Sequence, residues 1–305
     1  MKIIKDIEEL KRTQIDSLAI GTFDGLHLGH QAVIKELLRR EHSLVVTFEP
    51  HPKEVIGVGS PLSTLSTVNE KVSILEGLGL ENLFVLKFSK QLANMNAKKF
   101  IHWLVVECAK PEQIVVGYNH HFGCGGEGDF ELLVHMGAKF GFQVKRVSPV
   151  WVDGFPVSST RVRNALIKGE VREAGKLLGR QYSILSQVIP GEKRGKNLSY
   201  PTANLKVPER KLIPKDGVYA VGVKLEVCPK TQKGMMHIGE KPTFSSGFGL
   251  EVHIFDFNKD LLNQELTIEF IDYIRENRAF KSPEALKTQL KKDEQKARKI
   301  LQFKR

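Results

Sequence analysis

The period of the apolar residues changes near residue 180, and this change constrains the fold more than any other feature of the sequence. Before that point, short apolar runs alternate with helical patterns, as in SLAIGTF, HQAVIKELLRR, SLVVTFEP and LFVLKF. Apolar strands separated by amphipathic helices indicate βαβ units and a parallel sheet covered on both faces. After Tyr182 short alternating strands take over, among them YSILSQVI, GVYAVGVKLEV and GLEVHIFDF. They predict a small antiparallel barrel or sandwich, closed by a C-terminal helix.

Length and composition agree with two globular domains. A chain of 305 residues favours two domains over one. Gly179 can end a short helix, so we place the boundary just after it, with domains at 1–182 and 183–305. A hydrophobic content of 41% excludes bulk disorder. The three cysteines are odd in number and widely spaced, and no apolar run reaches the roughly 18 residues that cross a bilayer. We therefore expect a cytoplasmic protein with reduced thiols and no membrane partner.

The formal net charge of +11 is concentrated at the C-terminal end. Residues 281–305 hold nine Lys or Arg against three Asp or Glu, so 9 − 3 = 6 of the 11 charges lie there. Leu286, Leu290, Ala297 and Leu301 recur at helical spacing in this stretch. We interpret the charges as the solvated face of a docked helix, which makes a nucleic-acid partner the less favoured hypothesis.

A first candidate site lies between Gly21 and His30. Here an apolar strand runs through a glycine-bearing turn into a helix that starts near His30, which directs free backbone N–H groups and the positive helix end toward a ligand. His27 and His30 can both turn toward a phosphate in that position, and Gly29 lets the ligand approach the backbone. The alternative is structural, with one histidine capping the helix and the other half-buried.

A second stretch, VSSTRVRNAL, places polar donors at the start of another helix. Ser158 or Ser159 is a good N-cap, and Thr160 and Arg161 add a hydroxyl and a guanidinium near the first turn. Arg is unfavourable beside a helix N-terminus unless an anion is shared there. An ordinary capped surface helix is the alternative.

These motifs together resemble a known family. The stretches GTFDGLHLGH, TFEPHP, FSKQLANMNAKKFI and SSTRVRNAL are similar to the FMN adenylyltransferase module of bacterial bifunctional riboflavin kinase/FAD synthetases. The resemblance implies a Rossmann-like α/β nucleotidyltransferase domain that joins FMN to the AMP part of ATP, giving FAD and pyrophosphate with Mg²⁺. It implies that His27 and His30 bind ATP phosphates and that Arg161 clamps phosphate beside Ser159 and Thr160. The nucleotide-binding set would also include Gly21, Phe23, Asp24 and Gly29, although a turn-forming role suits Asp24 equally.

The stretch VGYNHHFGCGGEGDF matches the family less regularly. The resemblance implies that this loop, including Asn119, contacts the flavin or its phosphate. His120 takes the usual aromatic position and Gly126 the usual Arg position, and the loss of the Arg would weaken FMN binding. His120, His121 and Cys124 are all competent metal ligands, but the sequence suggests no fourth ligand. A flexible glycine-rich loop is the simplest alternative.

The C-terminal half carries the second candidate site, in RGKNLSYPTANL. The oxygens of Thr202 and Asn204 are hard ligands suited to Mg²⁺ that holds ATP phosphates, and Gly195 leaves room for those phosphates. Without further context, Pro201 to Asn204 is only a turn. The stretches PTAN, HIGEKPTF and LEVHIFDF resemble the riboflavin kinase module of the same family, in which a β-barrel phosphorylates riboflavin.

Glu251 is the candidate general base of that module. In LEVHIF, Leu250, Val252 and Ile254 share one face, and Glu251 and His253 share the other. The resemblance implies that Glu251 takes the proton of the ribityl 5′-hydroxyl as it attacks the γ-phosphate. Without the resemblance, a solvent-facing glutamate is the simpler interpretation. Four positions depart from the pattern of the family: Ser199, His237, Leu262 and Asn277.

The combined hypothesis is a bifunctional enzyme that converts riboflavin to FMN and FMN to FAD, each step consuming Mg-ATP. Its partners would be the small molecules riboflavin, FMN and ATP, and the sequence leaves open a homo-oligomer. A family member with one active module is the first alternative, because of the departures at Gly126, Ser199, His237 and Asn277. A flavin- or RNA-binding regulatory protein is the second, and salt-sensitive RNA binding without turnover would favour it.

Overall fold

The structure is a computed structural model that describes residues 1–57, 63–191, 200–225, 228–240 and 248–302. The chain divides into two compact units, Met1–Ser159 and Thr160–Arg305. Gly195 and Ser199, two of the residues singled out above, lie outside the described residues. Of the helices in the described ranges, none combines the length and the apolar character that crossing a membrane requires.

The first unit is built on a six-stranded parallel sheet with the order β1-β4-β3-β2-β5-β6. Its strands are β1 (Lys2–Ile4), β2 (Ser17–Ile20), β3 (Ser43–Glu49), β4 (Asn82–Lys87), β5 (Gln113–Gly117) and β6 (Gln143–Val147). Its helices are α1 (Ile7–Arg12), α2 (Leu28–Leu37), α3 (Pro52–Ile56), α4 (Val68–Gly77), α5 (Lys90–Ala93), α6 (Ala97–Ile101) and α7 (Phe130–Phe140). A π-helical segment, His102–Ala109, continues α6, and the hairpin of β7 (Trp151–Val152) and β8 (Phe155–Pro156) follows β6.

The continuous apolar runs of β2 and β3 are buried on both faces, as predicted for a covered parallel sheet. Successive side chains enter opposite cores. Leu18 and Leu44 pack with α1, α6 and the π-helical segment, whereas Ala19 and Val45 pack with α2 and α4. The chain moves from β2 to β3 on one side and later returns to β5 on the other, so β2 lies at the point where the strand order reverses. Ligands of such sheets bind at the carboxyl ends of the strands at this point.

The second unit is a closed antiparallel barrel with the order β10-β13-β12-β11-β14-β9. It begins with α8 (Ser159–Ile167), whose first residue lies at the division between the units, and α9 (Val171–Leu178). Gly179 ends α9 in the left-handed conformation, as predicted. The strands and last helix are β9 (Ser183–Ile189), β10 (Ala203–Leu205), β11 (Gly217–Leu225), β12 (Cys228–Glu240), β13 (Phe248–Ile254), β14 (Glu265–Arg275) and α10 (Pro283–Gln302).

The basic helix α10 docks on the outside of the barrel. Ala297 and Leu301 pack against Val218 and other buried residues of the barrel wall. The buried carboxylate of Asp293 accepts hydrogen bonds from the Arg275 guanidinium, with an Nε to Oδ2 distance of 2.9 Å. The predicted parallel sheet, antiparallel barrel and C-terminal helix are all present, so the predicted fold class is confirmed.

Candidate active sites

The turn that follows β2 has an unusual backbone. Phe23, Gly25 and Leu26 all have positive φ angles, of 46°, 81° and 44°. The Gly25 amide donates to Ser66 Oγ at 3.0 Å, and a Cβ added at Gly25 would lie 2.8 Å from Leu65 Cδ1. A side chain at position 25 would therefore meet both backbone strain and a collision. The turn is held in one conformation by the segment that precedes α4.

Asp24 fastens the same turn to the same segment. Its carboxylate is buried, and its Oδ1 accepts hydrogen bonds from the amides of Leu65 at 2.8 Å and Ser66 at 3.2 Å. The Asp24 carbonyl accepts a hydrogen bond from Ser159 Oγ at 2.9 Å. These contacts orient the turn as a whole.

His27 is the N-cap of α2. Its Nδ1 accepts a hydrogen bond from the His30 amide at 3.3 Å. A neutral imidazole that accepts at Nδ1 carries its proton at Nε2, so the cap fixes the tautomer that can donate to an anion. The structural alternative of a capping histidine therefore describes the structure correctly, and it is compatible with the functional hypothesis.

The His30 ring stacks on the His27 ring. Their centroids are 3.7 Å apart with an interplanar angle of 16°, and the Phe23 and His30 rings meet edge to face with centroids 5.3 Å apart. A Cβ at Gly29 would lie 3.1 Å from His27 Cε1, so glycine gives the capping ring room to lie over the helix end. Phe23 itself is buried in the core beside Ala19 and Val45, from which it supports the histidine pair.

The start of α2 has unused hydrogen-bond donors. The amides of Leu28 and Gly29 have no acceptor in the described part of the chain, whereas the next two amides bond to His27. This helix end lies at the carboxyl end of β2, where the strand order reverses. Two amides, the positive helix end and two imidazoles are groups of the kind that bind a phosphate, and all of them lie at this helix end.

Of the remaining residues predicted for the first site, some belong to the turn and others belong to the second unit. Gly21 begins the turn, where an added Cβ would lie 3.2 Å from the Phe23 ring, and Ser159 reaches the turn through Asp24. Thr160 and Arg161 belong to the second unit, where the Arg161 guanidinium lies 3.4 Å from Glu173 Oε1 on α9.

Two residues near the first site were not predicted. His51 follows β3, is buried and caps α3 through Nδ1, which accepts from the Lys53 amide at 3.2 Å. Its position in TFEPHP, at the carboxyl end of a predicted strand, could have identified it as a candidate site residue. Lys71 lies in α4, and its ammonium is buried against the turn. The sequence signal for its burial was that it lies four residues before the core residue Leu75 and so shares its face of the helix.

The glycine-rich loop after β5 is more regular than its sequence suggests. Phe122 pairs with Gly128 in an antiparallel bridge, and Gly126 has a φ of 71°, in the region that disfavours the usual Arg. Asn119 is exposed just beyond β5, and the His120 ring stacks on Phe122 with centroids 5.6 Å apart. Among the described residues, no three His, Cys, Asp or Glu side chains are grouped so that they could hold a metal ion.

We expect His120 to make the stability of the first unit depend on pH. Burial, with a smaller contribution from His121, lowers the pKa of His120 from 6.5 to about 4. Below pH 6.5 the unfolded chain takes up a proton that the folded chain does not, so stability falls as the pH drops from 6.5 toward 4. We expect a loss of about 2 kcal/mol at pH 5, measured by urea unfolding at pH 7.5 and pH 5.

The variant His120→Phe, which restores the usual aromatic residue, should remove this loss and keep the stacking on Phe122. The exposed His135 on α7 provides a matched control, because His135→Ala should leave the pH dependence as it is. An unchanged pH dependence in His120→Phe would contradict the prediction.

In the barrel, three strands bring candidate residues into one row. Glu251 on β13 lies directly opposite Asn204 on β10 and opposite His237 on β12. Directly opposed residues point to the same face of a sheet, roughly 5 Å apart. Leu250, Val252 and Ile254 face the interior, as predicted, and Glu251 is half-buried on the outer face.

Residues on either side of this row determine where the Asn204 side chain and the turn before β10 lie. A Cβ at Gly191 would collide with the Asn204 side-chain amide, so glycine at 191 allows Asn204 its place. Pro201 connects the turn before β10 to β13, because its carbonyl oxygen lies 2.7 Å from His253 Nδ1. Thr202, which lies between Pro201 and the first residue of β10, is exposed. Asn204 and Glu251 are half-buried on opposed strands, and the exposed Thr202 lies two residues before Asn204 in the chain.

Two of the departures from the family pattern meet at the other end of the row. Asn277 Nδ2 donates to the Ile238 carbonyl at 2.8 Å, next to His237, and a Cβ at Gly239 would collide with the Asn277 amide. Burial lowers the pKa of His237, against the opposing charge of Glu251 and a hydrogen bond with Asn277. His237 is therefore neutral at pH 7. The two departures from the family pattern, His237 and Asn277, thus lie in contact with each other.

A helix N-terminus at a sheet reversal and a row of polar side chains on a barrel are the kinds of site that transferases acting on nucleotides use. The family model for FAD synthetase matches residues 10–161, and that for riboflavin kinase matches residues 178–301. A bifunctional riboflavin kinase/FMN adenylyltransferase from Pseudomonas fluorescens is 36% identical over 98% of both chains. One of the same description from Listeria monocytogenes is 36% identical over 92% of this chain and 91% of its own.

A solved structure from Streptococcus pneumoniae also matches nearly the whole chain. Described as a macrolide-efflux protein, it is 32% identical, with a TM-score of 0.86 over 97% of this chain and 98% of its own. The chain belongs to the bifunctional riboflavin kinase/FMN adenylyltransferase family. The predicted family and the prediction of a transferase with two activities are confirmed.

Proposed function

We propose that this chain forms FAD from riboflavin in two steps, with one step in each unit. The second unit transfers the γ-phosphoryl group of ATP to riboflavin, giving FMN and ADP. The first unit joins FMN to the AMP part of a second ATP, giving FAD and pyrophosphate. The observation that carries the assignment of the first site is the stacked pair of His27 and His30 at the open N-terminus of α2.

In the first site, an FMN phosphate oxygen attacks the α-phosphorus of ATP and pyrophosphate leaves. Negative charge grows on the phosphoryl oxygens during this displacement. The Nε2 proton of His27, the His30 ring and the Leu28 and Gly29 amides are proposed to stabilise that charge, which the capping bond and the stacked rings support. Arg161, Ser159 and Thr160 are proposed to bind phosphate, and Asn119 to contact the flavin.

In the second site, Glu251 acts as the general base. It accepts the proton of the ribityl 5′-hydroxyl as that oxygen attacks the γ-phosphorus, and ADP leaves. The carboxylate is half-buried in the row with Asn204 and His237, so it is held on the outer face of the barrel. Pro201 and Gly195 are proposed to line the nucleotide site.

The residues around Glu251 also fit a magnesium ion. The exposed Thr202 hydroxyl and the Asn204 side-chain oxygen are neutral hard ligands beside a carboxylate, which is the donor set that Mg²⁺ shares with phosphates. Bound there by Thr202 and Asn204, the ion would neutralise charge on the ATP phosphates. We further propose that the enzyme is cytoplasmic and that its catalytic domains divide at 182/183.

Chromatography of a reaction with purified protein, riboflavin, ATP and Mg²⁺ tests the function. We expect FMN to appear first and FAD to follow, and EDTA to stop both reactions. Asn204→Ala should raise the Mg²⁺ concentration for half-maximal FMN formation about tenfold, because one hard ligand is lost. FAD formation from supplied FMN should not change.

The exposed Asn258 provides the matched control, since Asn258→Ala should leave both reactions unchanged. The absence of both FMN and FAD would refute the proposed function. The formation of only one product would identify a member with a single active module, and salt-sensitive RNA binding without turnover would favour the regulatory alternative.

A further inference from the structure

Lys71 is a buried amine beside the turn of the first site, and the mechanism above does not use it. Its side chain leaves α4 in the first unit, and the residue is only 5% exposed. Lysine is rarely buried to this extent unless its charge is paired. Burial lowers the pKa of Lys71, while the negative charges of Asp24 and Glu49 oppose the shift.

The Lys71 ammonium is directed at the backbone of Thr22, the residue after Gly21. Lys71 Nζ donates to the Thr22 carbonyl at 2.9 Å and to Thr47 Oγ1 at 3.2 Å. Within the described residues these are its two hydrogen bonds, and no carboxylate lies within ion-pair distance of Nζ. An ammonium has three N–H donors, so one of them has no acceptor in this part of the chain.

The Thr22 carbonyl does not need this charge to be satisfied. Thr47 Oγ1 is itself placed to donate to the same carbonyl at 3.1 Å. An apolar side chain at position 71 would leave that bond in place and avoid the cost of removing an ammonium from water. The buried charge is therefore poorly explained by folding stability.

The location of the charge suggests a catalytic purpose. Thr22 opens the strained turn of Phe23, Gly25 and Leu26 that leads to the histidine pair. A fixed positive charge behind this turn would favour the negative charge that develops in front of it, and the bond to Thr22 would hold the backbone in register. Asp24 continues the attachment through its bonds to the segment before α4.

We propose that Lys71 is a positioning residue for adenylyl transfer, which fixes the Thr22 carbonyl and supplies a buried positive charge behind the phosphate-binding turn. This inference rests on the proposed function of the first site. It extends that site by one buried residue that acts through the turn.

The test is Lys71→Met, which removes the charge and keeps a side chain of similar length. We expect the kcat for FAD formation from supplied FMN to fall about 100-fold, with the KM for ATP changed less than threefold, because the site loses preorganisation and keeps its ATP contacts. FMN formation by the second unit should stay within twofold. The urea midpoint of the first unit should be unchanged or higher, which a merely structural role would not give.

The exposed Lys35 on α2 is the matched control, and Lys35→Met should leave all four quantities unchanged. Thr47→Val removes the hydroxyl that links Lys71 to the Thr22 carbonyl and leaves the ammonium in place, so it should lower kcat by about tenfold, with little further loss when combined with Lys71→Met. If Lys71→Met does not fold, Thr47→Val decides alone, and an unchanged kcat in it overturns the inference.

A His30→Ala variant in the same assay separates the two proposals. If His30→Ala loses FAD formation and Lys71→Met keeps it, the inference about Lys71 is wrong and the proposed site stands. If both variants keep FAD formation, the proposed site itself is wrong. A fall in the stability of Lys71→Met in proportion to its activity would assign Lys71 a structural role and overturn the inference.

Discussion

Replacement of His30 by alanine should lower FAD formation by about 100- to 1,000-fold and leave FMN formation unchanged. The size follows from the loss of one preorganised donor, which typically costs that factor. The selectivity follows because His30 lies in the first unit and the row of Glu251 lies in the second. Two assays by chromatography measure the effect, one started with FMN and the other with riboflavin.

The capping role of His27 calls for a different substitution. Because Nδ1 of His27 holds the His30 amide, alanine at position 27 would remove a helix cap together with an imidazole. Asparagine is a good N-cap residue, so His27→Asn should keep the folding stability and still lose most FAD formation. The exposed His135 on α7 is the control for both variants.

The two histidine variants can contradict the assignment in different ways. Retention of FAD formation in His27→Asn would show that His27 serves only as a cap. Retention in His30→Ala would remove the histidine pair from the mechanism altogether. A loss of FMN formation in either variant would mean that the two reactions are not divided between the two units as proposed.

The sequence predicted the sheet and the histidine pair for a simple reason: both depend on neighbours in the chain. Continuous apolar strands can only be buried on both faces, and residues three apart at a helix start lie on one side of it. The stacking of the His27 and His30 rings could not be predicted. It depends on the missing Cβ of Gly29 and on the left-handed backbone of Phe23, which brings the ring edge to His30.

Contacts between distant segments were the part that the sequence did not reveal. Lysine in a helix pattern is normally solvated, so the burial of Lys71 appears only when α4 packs on the turn. The row through Glu251 requires the register of three strands, which alternation alone does not fix.

Because that register places Glu251 in the polar row, we expect the variant Glu251→Gln to lose riboflavin phosphorylation. The change removes the proton acceptor and keeps the size of the side chain, so FMN formation should fall by about 1,000-fold, within the range of general-base catalysis. The amide can still hydrogen-bond to a neighbour, so the urea midpoint of the second unit should move little. Supplied FMN should be converted to FAD at the normal rate, since that reaction occurs in the first unit.

Two further variants distinguish a base from a residue that merely binds. Glu265→Gln makes the same change at an exposed position of β14 and should leave FMN formation unchanged. His237→Asn restores the usual residue beside Glu251 and removes a ring that is neutral at pH 7, so it should change kcat only a few-fold. A base acts on kcat, whereas a binding residue acts mainly on the KM for riboflavin. If Glu251→Gln raised KM and preserved kcat, the proton would have to leave through another group, and the row of Asn204, Glu251 and His237 would serve to bind riboflavin.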